Sequence, residues 1–224
     1  MSDEFEIEPV PGLPEKLPAG ERILWQGSPS KTSLARHALH ADAVALYFVA
    51  LAVARLAWAA SSGEPIAGAL PSAAAVLFAG AISTALLVTA ARLSARTTLY
   101  TITNKRLVMR YGIAMPMSVN IPFSQVRSAA VNSYGDKTGD IALDIAGPMR
   151  LAYLHLWPHA RAWHLKEAQP ALRSLPDAKA AAEILVKAVA AAGVPAAVQG
   201  LVQAPSLVKT SAPAAARDLA TIAA

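Results

Sequence analysis

The residues best equipped for chemistry lie close together in LHLWPHARAWHLKEAQPALRSLPD, residues 154–177. His155, His159 and His164 offer three imidazole nitrogens of the kind that bind zinc. Their spacing opposes a metal site. Pro158 breaks any helix that would bring His155 and His159 onto one face, His155 falls on an expected strand, and Glu167 has no second acid with which to activate a metal-bound water. No metal and no cofactor are expected. Trp157, Pro158, His159, Arg161 and Trp163 read instead as an exposed aromatic and basic loop that anchors a protein partner, because Trp and Arg dominate binding hot spots. The plainer alternative packs the two tryptophans under a domain and leaves Arg161 in solvent.

The chain has no cysteine, which removes thiolate clusters, disulfides and cysteine nucleophiles together. Neither a nucleophile with its base, nor a pair of carboxylates, nor a glycine-rich phosphate loop stands out, so an enzyme is not expected. A second group is basic: Lys105, Arg106, Arg110 and Arg127 are candidate lipid-facing residues, each gaining roughly 1 kcal/mol beside an anionic membrane whatever the headgroup. Nucleic acid is not an expected partner, because no stacking platform or recognition-helix pattern accompanies these charges.

The elements that position these residues follow from composition. Of 224 residues 54% are apolar and only 16% charged, with a mean hydropathy of +0.38. An ordinary soluble domain carries about 25% charge, so part of this chain is expected in lipid. The net charge of +5 is unevenly spread: residues 92–175 alone hold eleven bases and four acids. Residues 1–40 form an N-terminal segment whose acidic start, Asp3 to Glu8, argues against a cleaved signal peptide. Residues 41–91 hold two apolar spans, about 43–61 and 66–91, separated by Ser62, Gly63, Glu64 and Pro65. At 1.5 Å per residue each approaches the roughly 30 Å of a bilayer core, so they are read as a transmembrane hairpin, with Pro71 in the first turn of its second helix. Lys31, Arg36, Arg92 and Arg96 flank the hairpin, and the positive-inside rule then puts both termini in the cytoplasm.

Arg55, within the first span, is expected either to snorkel to the outer interface or to pair with a partner's helix. On the second span Ala75, Ala79 and Ser83 fall at i, i+4 and i+8, a small-residue face suited to close helix packing, with Gly80 and Thr84 on the next row. A homodimer through such faces is a further expectation.

Beyond Arg96 the apolar pattern changes to period two. Tyr100 and Ile102 alternate with Thr101 and Thr103, Asn104 and Lys105 supply a turn, and Leu107, Met109 and Tyr111 lie on the return strand. Further strands are expected at Val119–Phe123, Val126–Asn132, Ile141–Ile145 and Met149–Tyr153. Asp177 and Gly193 bracket a helix with Ile184, Leu185 and Val189 inward. Residues 93–193 then form an antiparallel β-barrel or sandwich capped by that helix, and 194–224 an Ala/Pro-rich tail. The fold class is a membrane-anchored α+β protein.

TTLYTITNKRLVMRYG at 97–112 and IPFSQVRSAAV at 121–131, with ERILWQGSP at 21–29 upstream, resemble bacterial membrane-associated PH-like domains. In eukaryotic PH domains a basic hairpin corner grips phosphates, a likeness Lys105 and Arg106 share without implying a headgroup. Leu-Trp-Pro-His at 156–159, Arg161, Trp163 and the QPALR element at 169–173 resemble the Puh-type photosynthetic complex assembly proteins of purple bacteria, where a proline is expected at Ala162. That resemblance implies a non-enzymatic assembly factor of the inner (intracytoplasmic) membrane. Its implied partners are photosynthetic reaction-centre and core light-harvesting subunits. In that setting His37 and His40 could ligate a chlorophyll magnesium, but no pigment is expected.

Overall fold

A computed structural model of the chain describes residues 12, 13, 15–146, 153–161 and 168–193. Asp3 to Glu8, the Met149–Leu151 part of an expected strand, Ala162, Trp163, His164 and the 194–224 tail lie outside the described residues. Strand β1 (Ile23–Gly27) comes first, followed by a helical turn α1 (Lys31–Ser33) that runs into a wider π-helical turn, Leu34–Ala38. Helices α2 (Ala41–Ser62) and α3 (Ile66–Thr97) are next, then strands β2 (Leu99–Thr103), β3 (Arg106–Tyr111), β4 (Met117–Pro122), β5 (Val126–Ser133) and β6 (Thr138–Ile145). A short helix α4 (Tyr153–Leu156), strand β7 (Ala171–Pro176) and helix α5 (Ala178–Ala191) complete the order.

The two apolar spans are helices, as their composition requires, and both outrun the expected limits. Helix α2 ends where Gly63 turns left-handed at φ 72°, its N–H bonded to the Ala59 carbonyl. Helix α3 carries Pro71 in its interior rather than its first turn, because the helix already starts at Ile66. It also continues through Arg92–Thr97, well past the apolar segment. Both helices are long and apolar enough to cross a membrane, yet only 11% of either span is buried within the protein. Where they do touch, small residues make the seam: Ala52 and Ala59 on α2, Ala69, Ala73 and Gly80 on α3. A Cβ at position 80 would stand 2.5 Å from the Phe48 Cβ, so only glycine permits this approach.

The strands form two antiparallel sheets, in the orders β1-β2-β3-β4 and β5-β6-β7. They are separate sheets, so the domain is a sandwich and not a closed barrel. Leu107, Met109, Ile121, Phe123, Ile141, Leu143 and Leu172 fill the space between them, closed by Leu185 and Val189 of α5. Asp177 stands at the expected cap position of α5, but in a left-handed conformation and without a side-chain cap bond. Tyr153, expected at the end of a strand, opens α4 instead, and His155 falls in the same short helix.

One boundary of the sequence reading moves. Residues 21–29 were expected outside the β domain, but β1 is an edge strand of its first sheet, with Gly27 paired to Tyr100 and Ile23 to Thr103. The entire hairpin is therefore the connection between two neighbouring strands. Both of its ends, at Ala41 and Thr97, meet the same end of that sheet. This near end also carries the β3–β4 loop, because Arg110 pairs with Leu99 and Tyr111 with Met117. The β2–β3 turn and the Phe123–Gln125 turn lie at the far end, joined by the bond from Phe123 N–H to the Lys105 carbonyl.

Candidate functional site

The described histidine of the expected binding loop is not on the surface. His159 is 1% exposed, and its imidazole sits between the end of α3 and strand β2. The Arg173 N–H donates to the Tyr100 hydroxyl at 3.2 Å. That leaves the phenol proton for His159 Nδ1, 2.7 Å away. His159 Nε2 faces Thr98 Oγ1 at 3.1 Å and Ser94 Oγ at 3.3 Å, while the Thr98 hydroxyl donates to the Ser94 carbonyl at 2.7 Å. Every partner is satisfied by one arrangement, a neutral imidazole with its proton on Nε2. Burial raises the Tyr100 phenol far above its usual range, which keeps it a donor.

Arg173 extends this chain to the other end of the hairpin. Its Nη1 donates to the Ala160 carbonyl at 3.0 Å and its Nη2 to the His37 carbonyl at 3.4 Å, just before α2 begins. Its Nε lies 2.8 Å from Asp140 Oδ2, a buried ion pair in which the N–H is angled off the oxygen, so that contact is coulombic rather than a formed hydrogen bond. Asp140 also accepts from the Ser174 N–H at 2.7 Å and from the Tyr134 hydroxyl at 2.6 Å. Burial and the neighbouring Asp140 push the Tyr134 phenol up, again fixing it as a donor. The Tyr134 ring stacks on His37 with centroids 3.9 Å apart, and His37 Nε2 stands 3.3 Å from Asp136. The exit of α3 and the entry of α2 are thus fastened to one polar network inside the sandwich.

This joint fixes the position and the protonation of its buried groups. Burial first, and the nearby Arg173 charge second, lower the His159 imidazole to about 3. Such a histidine takes up its proton only on unfolding. Its contribution to the folded state is complete above the unfolded value of about 6.5 and is lost as pH falls from there toward 3. We expect His159 to add about 1.4 kcal/mol per pH unit to the slope of stability between about pH 6 and 4. Unfolding of the full chain in detergent at several pH values checks this, since His159→Gln must flatten that slope. An unchanged profile in the variant would show that the imidazole titrates normally.

The remaining sequence candidates are divided. Trp157 is 52% exposed, Pro158 half-buried, and Arg161 exposed with its guanidinium donating to Gln169 at 3.0 Å. Arg55 reaches toward the turn that joins the two helices, where it donates two bonds, of 3.0 and 2.8 Å, to Glu64. Ala75 and Ala79 stay exposed, while Gly80 on the next row is spent inside the hairpin. The basic group does not form one surface. Lys105, Arg106 and Arg127 belong to the far end of the sheets, away from the helices, and Arg110 to the near end. Arg106 pairs with Glu21 at 2.7 Å, and Lys105 lies 3.5 Å from the Ala19 carbonyl.

What the Thr-Asn-Lys-Arg motif builds is a clamp on β1. The Thr103 hydroxyl accepts from the N–H groups of Lys105 and Arg106, shaping the turn, and the Asn104 amide side chain accepts from the Arg22 N–H and donates to the Gly20 carbonyl. Sequence reasoning missed this pairing, although ERILWQG and TITNKR had entered the same resemblance. Among the described residues no three or more His, Cys, Asp or Glu side chains gather as a metal site would require.

Among the described residues, a two-sheet sandwich of seven strands closed by helix α5, with its first two strands separated by an apolar hairpin, is the form of a PH-like domain built around a helical insertion. The chain matches the model of the Bacterial PH domain family over residues 42–189, and it belongs to that family. It is also 41% identical over 193 residues to the "Uncharacterized 23.7 kDa protein in puhA 5'region" of Rhodobacter capsulatus, covering 84% of this chain and 89% of that one. No solved structure matches it significantly.

Proposed function

We propose that this protein is a non-enzymatic assembly factor for the photosynthetic reaction centre and its core light-harvesting complex, acting by protein contacts in and at the inner membrane. The observation that carries the reading is the 41% identity, along most of both chains, with a protein named for its place in the puhA 5' region, a photosynthesis-gene context. The Puh-type motif around Trp157 and Arg173 supports it from this chain's own residues. The hairpin is the membrane element: two apolar helices whose outer faces the protein leaves uncovered need lipid or another helix to cover them. The basic flanks put both of its ends, and the sandwich with them, on the cytoplasmic side. Within the bilayer the exposed Ala75 and Ala79 flank offers a partner helix close approach.

Affinity purification of the tagged full chain from cells building their photosystem is expected to recover reaction-centre or antenna polypeptides. Their absence, with the tagged protein present in the membrane fraction, would refute the proposal.

A further inference from the structure

Outside the two long helices, large apolar side chains are exposed at only four described positions: Leu24, Ile113, Met115 and Trp157. Three of the four stand at the near end of the sandwich. Ile113 and Met115, 51% and 75% exposed, occupy the β3–β4 loop. Trp157 comes two residues before His159, whose ring lies 5.2 Å from that of Tyr111, the last residue of β3. The loop is tightly built. Gly112 takes φ 121°, and a Cβ there would overlap the Met115 carbonyl, so Ile113 and Met115 are displayed by backbone geometry.

Distance along α3 decides what these side chains meet. The apolar part of the helix ends at Ala91, and Arg92–Thr97 adds about 9 Å of helix before β2 begins. The headgroup layer on one side of a bilayer is roughly 5–7 Å thick. The near end of the sheet therefore stands at the headgroup boundary, and a loop leaving that end enters it. Arg92 and Arg96, both exposed, lie at the same level.

We infer that Ile113, Met115 and Trp157 form an apolar foot that seats the sandwich in the membrane interface beside its own hairpin. Its partner is the lipid surface, and this rests on the membrane-spanning reading of α2 and α3. The foot works through apolar insertion rather than headgroup charge. The far-end cluster of Lys105, Arg106 and Arg127 takes no part in it. A seated foot adds a contact with the bilayer to the two chain connections at Ala41 and Thr97, and so fixes the tilt of the domain.

The absence of cysteine makes the test direct. A polarity-sensitive fluorophore is attached at Met115→Cys, at Ser124→Cys on the exposed far-end turn, and at Phe78→Cys within the hairpin. The full chain is reconstituted in phosphatidylcholine vesicles, with and without phosphatidylglycerol. The expected result is blue-shifted emission at position 115, lost to nitroxide-labelled lipid and protected from iodide in both lipids, with the reverse at 124. Adding Ile113→Asp should return the label at 115 to water, which a probe drawn into lipid by its own apolarity would not do. If 115 is quenched by iodide as strongly as 124 while 78 is quenched by nitroxide lipid, the hairpin is inserted and the foot does not exist. A protected label that needs phosphatidylglycerol would replace the foot with charge attraction. If 78 also faces water, the membrane reading falls and the foot with it.

Discussion

Replacing Arg173 with methionine is expected to lower the stability of the full chain by about 3–5 kcal/mol, the loss typical when one member of a buried ion pair is removed. The guanidinium lies 2.8 Å from Asp140, and both side chains are almost wholly enclosed. Removing the cation strands a carboxylate whose remaining partners, the Ser174 N–H and the Tyr134 hydroxyl, are neutral. It also releases the Ala160 and His37 carbonyls, so the segment before α2 loses its tie to the sandwich. Asp140→Asn keeps an acceptor for Ser174 while removing the charge, so the double variant Arg173→Met/Asp140→Asn should be more stable than Arg173→Met alone. Chemical unfolding of the four proteins in bicelles measures the coupling. Simple additivity, or a loss under about 1 kcal/mol for Arg173→Met, would show that the ion pair contributes little beyond a surface contact.

The second large effect is at Gly80. In an open helix, exchanging glycine for a larger aliphatic residue gains up to about 1 kcal/mol of helix propensity. Here the sign reverses, because any Cβ meets the Phe48 Cβ at 2.5 Å and Cγ at 2.7 Å, and neither is the movable end of a side chain. Gly80→Leu must push α2 away and is expected to cost about 1–3 kcal/mol. Ala79→Leu, one residue earlier on the exposed flank, should leave stability within about 0.5 kcal/mol. If that flank receives a partner helix, Ala79→Leu instead reduces recovery of reaction-centre or antenna polypeptides. The two neighbouring substitutions thus separate folding from binding, and equal losses of stability from both would contradict the packing described.

The local parts of the fold were legible because their signals are local. Continuous apolar runs gave α2 and α3, period-two alternation gave β2 to β6, and a helix former between Asp177 and Gly193 gave α5. The misses have one cause, dependence on distant partners. β1 reads as a preface to the membrane segment because its hydrogen-bonding neighbour arrives only at Leu99. β7 was not among the expected strands, since Arg173 interrupts its apolar run and Pro170 and Pro176 stand at its two ends, yet five of its six residues are buried. His159 looked like a surface ligand because its burial is made by the end of α3, by β2 and by β3 together.

The interruption of the first sheet also sets an order of events during synthesis. Gly27 cannot pair until Tyr100 has been made, and the 71 residues from Ser28 to Thr98 lie between the two strands. At the roughly 5–20 residues per second of translation, that is about 4–14 s in which β1 has no neighbour. On the membrane-spanning reading proposed above, the wait ends only when the chain has entered the bilayer, turned at Gly63 and come back to the side from which it left. A hairpin that failed to return would leave β2 on the opposite side of the membrane from β1, and the sheet could never close. On that reading, completion of the sandwich is a built-in record that insertion succeeded, and only chains that have passed it present a finished domain.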